Sequence, residues 1–130
     1  MKKPVWIDER DAIALHSRLL ALHGGAEGLR DRGLLQSALA RPQQQYAYAE
    51  SSDMIDMATA YTAGIVRNHP FVDGNKRTGF VVGILFLELN GYRFTASEEE
   101  AAQAVLKLAS GSLDESGYLA FLRANVSREK

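Results

Sequence analysis

The sequence predicts an all-α fold, a compact bundle of about six helices around a central apolar helix. Three observations carry that prediction. Apolar residues recur at helical spacing in successive stretches, Asp, Ser or Thr stands at most of their starts with Gly, Asn or Pro at most of their ends, and one stretch is apolar nearly all round. With 130 residues, 46% hydrophobic and 24% charged, the chain has material for one core and little for a second, so residues 1–130 are expected to form a single domain.

The first helix is expected in "DERDAIALHSRLLALHGG", where Ala12, Ile13, Leu15, His16, Leu19, Leu20 and Leu22 fall near helical spacing. Asp8 is its candidate N-cap and Gly24-Gly25 its stop. A second, shorter helix carries Leu34, Leu35, Ala38 and Leu39 and should close where Pro42 pushes Arg41 out of helical geometry. "QQQYAYAESS" then interrupts the pattern, so residues 43–50 are open to two readings, a short extended flap or a loop. Ser52 or Asp53 caps a third helix through Ile55, Met57, Ala58, Tyr61, Ile65 and Val66, which Pro70 ends one residue earlier. The fourth starts near Asp73 to Asn75, continues through "RTGFVVGILFLEL" and stops at Asn90-Gly91. It is the apolar one, expected at the centre. "TASEEEAAQAVLKLASG" supplies a fifth, with acids in its first turn and Lys107 in its last as the helix dipole favours, and "SLDESGYLAFLRANV" a sixth, weakened by Gly117.

Composition narrows the function classes. Fifteen Lys and Arg against sixteen Asp and Glu give a net charge of -1, which provides no general attraction to nucleic acid or an anionic membrane. Any anion site must be local. The longest strongly apolar run, "FVVGILFL", is far short of the roughly 20 residues a membrane span needs, and the N-terminus does not resemble a secretory signal. Without cysteine there are no disulfides and no thiolate metal sites, which fits a reducing compartment, the cytoplasm by default. No Gly-Lys dipeptide, G-x-G-x-x-G, H-E-x-x-H or EF-hand loop occurs. His16 and His23, seven apart on the first helix, read as ordinary packing or surface residues.

The stretch that departs from packing is "HPFVDGNKRTGF", residues 69–80. Lys76 and Arg77 stand at the start of the fourth helix, where the dipole is positive and the amide N–H groups lack partners. Gly74 permits close approach to the backbone, and phosphate is the natural guest. His69, placed before Pro70 in extended geometry, is the candidate general base, since imidazole titrates at about pH 6.5. Asp73 is either the helix N-cap or the single carboxylate that holds magnesium beside phosphate. Asn75 is a second cap or a polar positioning group, Phe71 a core plug that anchors the loop, Thr78 structural, and Gly79 a point of close packing.

His69, Phe71, Asp73, Gly74, Asn75, Lys76 and Arg77 resemble the signature of the Fic/Doc superfamily, H-x-F-x-[D/E]-[G/A]-N followed by G or K and then R. The stretches "GGAEGLRDRGLLQSALARPQ" and "LFLELNGY" are similar to the Doc, or death-on-curing, toxin branch. The resemblance implies that His69 takes the proton of a target hydroxyl and Asp73 holds magnesium on nucleotide phosphates. Gly74, Asn75, Lys76 and Arg77 would bind those phosphates. Members that transfer adenylyl groups carry glycine in place of Lys76 and arginine in place of Phe80. Lysine goes with the Doc branch, in which the γ-phosphate of ATP is transferred to a threonine of elongation factor Tu and translation stops. The inhibitory pattern [S/T]-x-x-x-E-[G/N] is not met, because His23 stands where Ser or Thr is required before Glu27-Gly28. The resemblance therefore implies restraint by a separate Phd-like antitoxin in a type II toxin-antitoxin system. Three classes of function follow: a Doc-like kinase toxin, a nucleotidyl (AMP) transferase acting on a protein hydroxyl, and a non-catalytic binding domain.

Overall fold

The computed structural model of the protein describes residues 3–49 and 51–129. Six helices form among these residues: α1 (Glu9–His23), α2 (Arg32–Tyr48), α3 (Met54–Asn68), α4 (Asn75–Leu89), α5 (Glu98–Ser110) and α6 (Glu115–Ala124). Two short strands, β1 (Tyr92–Phe94) after α4 and β2 (Val126–Arg128) after α6, pair antiparallel with Arg93 opposite Ser127.

Most helix starts follow from local chemistry. Asp8, Asp31, Asp53, Ser97 and Asp114 each accept a first-turn N–H. At Asp8, Asp53 and Ser97 the acid three residues on returns a bond to the cap backbone, completing a capping box. Gly24 and Gly111 sit at positive φ at the ends of α1 and α5, where a side chain would be strained.

The second helix corrects the expectation from Pro42. The helix does not close there but continues to Tyr48, so most of the stretch weighed as a flap or loop is helical. Proline's φ is itself helical, and the crowding it imposes on the preceding residue is a preference that packing can override. Here Pro42 is buried and Arg41 is held by two guanidinium contacts to Glu115 of α6, at 2.8 and 3.1 Å.

The core also differs from expectation in which helix it encloses most. Eleven residues of α3, Met54 and the unbroken run Met57–Val66, are buried, and α2 and α4 pack most extensively against it. Small residues explain this. Ala58, Thr59, Ala60, Thr62, Ala63 and Gly64 let neighbours approach α3 from several sides, whereas α4, though more apolar, leaves Lys76, Arg77, Glu88 and Leu89 exposed. The two helices meet at Gly79 and Gly83, where an added Cβ would lie 3.2 Å from Thr62 O and 3.0 Å from Ala58 O respectively. Gly79 is thus the close-packing point its position suggested. The N-terminal segment crosses the far end of α4, where Asn90 exchanges hydrogen bonds with the Val5 main chain at 2.7 and 3.0 Å. Ile7 is fastened in the same way by the buried Tyr61 hydroxyl.

Candidate functional site

The candidate residues converge because the loop between α3 and α4 is only six residues long, 69–74, and is anchored from within. Phe71 is its plug: 1% exposed, it stacks on His16 of α1 with ring centres 3.8 Å apart and planes 8° from parallel. Asn75 secures the same point. Its side chain accepts from the Phe71 N–H and donates to the Phe71 carbonyl, both at 2.9 Å, and is buried, so it positions the loop and does not cap the helix. Leu29 forms an isolated antiparallel bridge with Phe71, and Val72 N–H donates to Gly28 O at 3.0 Å. The extended segment beside the site is therefore 24–31, between α1 and α2.

Asp73 is not the N-cap of α4. Gly74 occupies that position at φ 78, a left-handed conformation that suits glycine, and no side chain of the described residues caps the helix. Asp73 instead turns its carboxylate toward the 24–31 segment, accepting from Gly74 N–H at 2.8 Å and Ala26 N–H at 3.2 Å. Those bonds, the one from Ala26 foremost, hold its carboxyl below the usual carboxylate range, with His16 and His69 adding smaller pulls and burial opposing. A Cβ on Gly25 would lie 2.9 Å from Asp73 Oδ2, so the main chain of this segment lies close against the carboxylate. His16 Nε2 lies 2.8 Å from the Asp73 carbonyl and donates to it. His16 thus braces the loop through Phe71 and Asp73. The sequence left it a packing or surface residue of α1, and nothing there tied it to residue 73.

The capping oxygen that α4 lacks leaves the main-chain N–H groups of Asn75, Lys76 and Arg77 without partners among the described residues, and the Thr78 N–H is the first to bond back, to Gly74 O at 3.0 Å. Lys76 and Arg77 are exposed and form no ion pair with any described residue. Open amides, the positive end of the dipole and two uncommitted cations together make an anion cradle. Asn75 can contribute its main-chain N–H to that cradle, its side chain being engaged elsewhere. Thr78 and Gly79, next in the helix, are buried and structural.

His69 departs from the extended geometry expected before proline. It is the C-cap of α3 at φ 51, ψ 54, its N–H bonded to Ile65 O at 3.0 Å. The residue is exposed, and its ring has no hydrogen-bond partner among the described residues. Among those residues, no three or more His, Asp or Glu side chains converge as a metal cage. The single Asp73 carboxylate, ionised and with lone pairs to spare, fits a magnesium ion that takes its remaining ligands from phosphate and water. Phe80, one turn into α4, packs edge-on against Phe94 of β1 at 5.5 Å. Glu27-Gly28 lies outside any helix.

A model of the Fic/DOC family matches residues 6–87, from the segment before α1 to the last turns of α4. The chain is similar, at 32% identity over 117 residues, to the protein kinase Doc of Escherichia phage P1, the match covering 90% of this chain and 92% of that protein. It is 37% identical over 92 residues to the toxin Doc of Mycolicibacterium smegmatis, covering 70% of this chain and 68% of the relative. Among solved structures, the N-terminal Fic domain of a VirB-translocated Bep effector protein from Bartonella quintana, crystallised with ADP, superposes with a TM-score of 0.50 at 16% identity. That match covers 74% of this chain, which spans about half (49%) of the solved one. It supports the helical fold. With the family match spanning α1 to α4 and a curated relative aligned along nearly the whole length, this chain belongs to the Fic/DOC family.

Proposed function

We propose that the protein is the toxin of a type II toxin-antitoxin pair and acts as a kinase, passing the γ-phosphate of ATP to a protein hydroxyl. The expected acceptor is a threonine of elongation factor Tu, whose modification arrests translation. The observation that carries this reading is the start of α4, where amides 75–77 are open and Lys76 and Arg77 unpaired among the described residues, with His69 and Asp73 on the six-residue loop that leads into it. The relatives support it, one being named a protein kinase and the other a toxin.

In this reading His69 accepts the proton of the acceptor hydroxyl as its oxygen bonds to the γ-phosphorus. The bond from that phosphorus to the β–γ bridging oxygen breaks, and ADP departs. Gly74, Asn75, Lys76 and Arg77 hold the phosphates, the first turn through main-chain N–H groups and the two cations through charge. Lys76 sets which phosphate faces the acceptor. Asp73 is the protein's ligand to magnesium, which when bound offsets phosphate charge. Bracing by His16 and Asn75 fixes these groups before substrate arrives, and such positioning supplies most of the catalysis in phosphoryl transfer. A Phd-like antitoxin restrains the toxin in trans, and the cytoplasm is where all three proteins meet.

ATP labelled separately at the α and γ phosphates, incubated with the protein and cell extract, tests the proposal. Label entering protein from the γ position alone is expected. Label from the α position would make the protein a nucleotidyl transferase, and none from either would make it a binding domain.

A further inference from the structure

The backbone at His69 poses a problem that the helix end alone does not solve. It is the one non-glycine position at positive φ among the described residues, and it precedes Pro70, whose ring crowds its neighbour. A left-handed conformation is strained for an L-residue with a side chain, so its surroundings must hold it there. Three consecutive carbonyls, those of Asn68, His69 and Pro70, all receive donors from residues 30 and 31. Arg30 Nη2 donates to Asn68 O at 3.0 Å and Arg30 Nε to His69 O at 2.8 Å. The main-chain N–H groups of Arg30 and Asp31 donate to Pro70 O at 2.7 and 2.9 Å. Asn68 closes the ring by donating from its side chain to Leu34 O at 2.9 Å.

We infer that Arg30 is a positioning residue, its guanidinium forked over the carbonyls of residues 68 and 69 so that the His69 backbone stays left-handed and its imidazole stays at the approach to α4. The catalytic part of this inference rests on His69 being the general base. The chemistry favours arginine over lysine, because two carbonyls on adjacent residues match a rigid planar fork, whereas an ammonium offers one movable point charge. Its charge also suits the negative end of the α3 dipole. The main-chain bonds to Pro70 survive truncation of the side chain, so removing the guanidinium frees the two carbonyls while the loop remains attached.

The test uses Arg30→Ala and Arg30→Lys in the full chain. A left-handed residue brings its own amide and α protons close together, so His69 should give a strong intraresidue NOE between them in the unmodified protein. The expected result is a weaker NOE in Arg30→Lys and, in Arg30→Ala, an NOE reduced to the strength given by residues at negative φ, with far-ultraviolet circular dichroism unchanged. At saturating ATP, transfer of γ-label into cell extract should fall on the order of 100-fold in Arg30→Ala, the scale at which small misplacements act. The ATP concentration for half-maximal rate should move less than about twofold, because the phosphate cradle is untouched. Arg30→Lys should lie between. An NOE of undiminished strength in Arg30→Ala, or undiminished transfer once the NOE has weakened, overturns the inference. Failure of the base assignment is separate: it shows as wild-type transfer by His69→Ala, and the NOE comparison still decides whether Arg30 sets the backbone.

Discussion

At the scale of single residues, the candidate site is braced by side chains that hold main chain, His16 on the Asp73 carbonyl and Asn75 on Phe71. His69→Ala should lower γ-phosphate transfer about 10²- to 10⁴-fold, the range of a general base, and abolish growth arrest while leaving the thermal midpoint nearly unchanged, because the ring contacts no described residue by hydrogen bond. Growth arrest at full potency would remove His69 from the mechanism. Lys76→Gly should shift some of the transferred label from the γ to the α phosphate, which the two labelled forms of ATP distinguish. Residue type and order marked His69, Asp73 and the cations as candidates in the sequence. Their backbone setting was not legible. Proline at 70 pointed to extended geometry for His69, and that preference lost to a helix end clasped by Arg30. The arginine itself was invisible, because it serves main-chain oxygens 38 and 39 residues further along and so leaves no mark in any local pattern.

At the scale of elements, the approach of α4 to α3 fixes where the open amides stand. Gly83 faces the Thr62 hydroxyl and the Ala58 carbonyl so closely that a methyl group cannot enter without displacement. Gly83→Ala should therefore destabilise the fold by about 1–3 kcal/mol, the usual cost of overpacking. The midpoint of urea denaturation checks this, and an unchanged midpoint would mean that the helices separate at no cost. Helix existence and caps were readable because capping acids and apolar spacing are local signals. The order of burial was not, since α4 is the more apolar of the pair while α3 owes its central place to small residues. Pro42 misled for a related reason: the contact of Arg41 Nη2 with both Glu115 carboxylate oxygens, beside the buried proline, joins residues 74 apart.

At the scale of the whole molecule, stability should fall at both pH extremes, and the directions can be worked out. Ala26 and Gly74 N–H groups lower Asp73, the Asp11 N–H lowers Asp8, and Arg32 lowers Glu9. At Asp53 burial works upward but is outweighed by Arg123 and the Asp56 N–H. A carboxyl lowered by folding stabilises the native state above its unfolded pKa of about 4, and that contribution is lost as pH falls through the lowered value. Burial pushes Tyr61 and Tyr118 the other way, each up to about 12. Their contribution is complete below about pH 10, the unfolded value, and disappears as pH rises toward 12. Tyr61→Phe should flatten part of that alkaline decline and cost about 1–3 kcal/mol at neutral pH by leaving the Ile7 N–H unsatisfied, as denaturation followed across pH would show. Asn90 has a practical corollary for anyone tethering this protein. It pins the Val5 segment to the end of α4 opposite the proposed phosphate cradle, and Glu129 N–H bonds to Gly91 O at that same end. Fifteen helical residues span roughly 22 Å, so a reporter, affinity handle or surface linker joined beyond either residue would hang on the back of the molecule, its front left free to meet a partner.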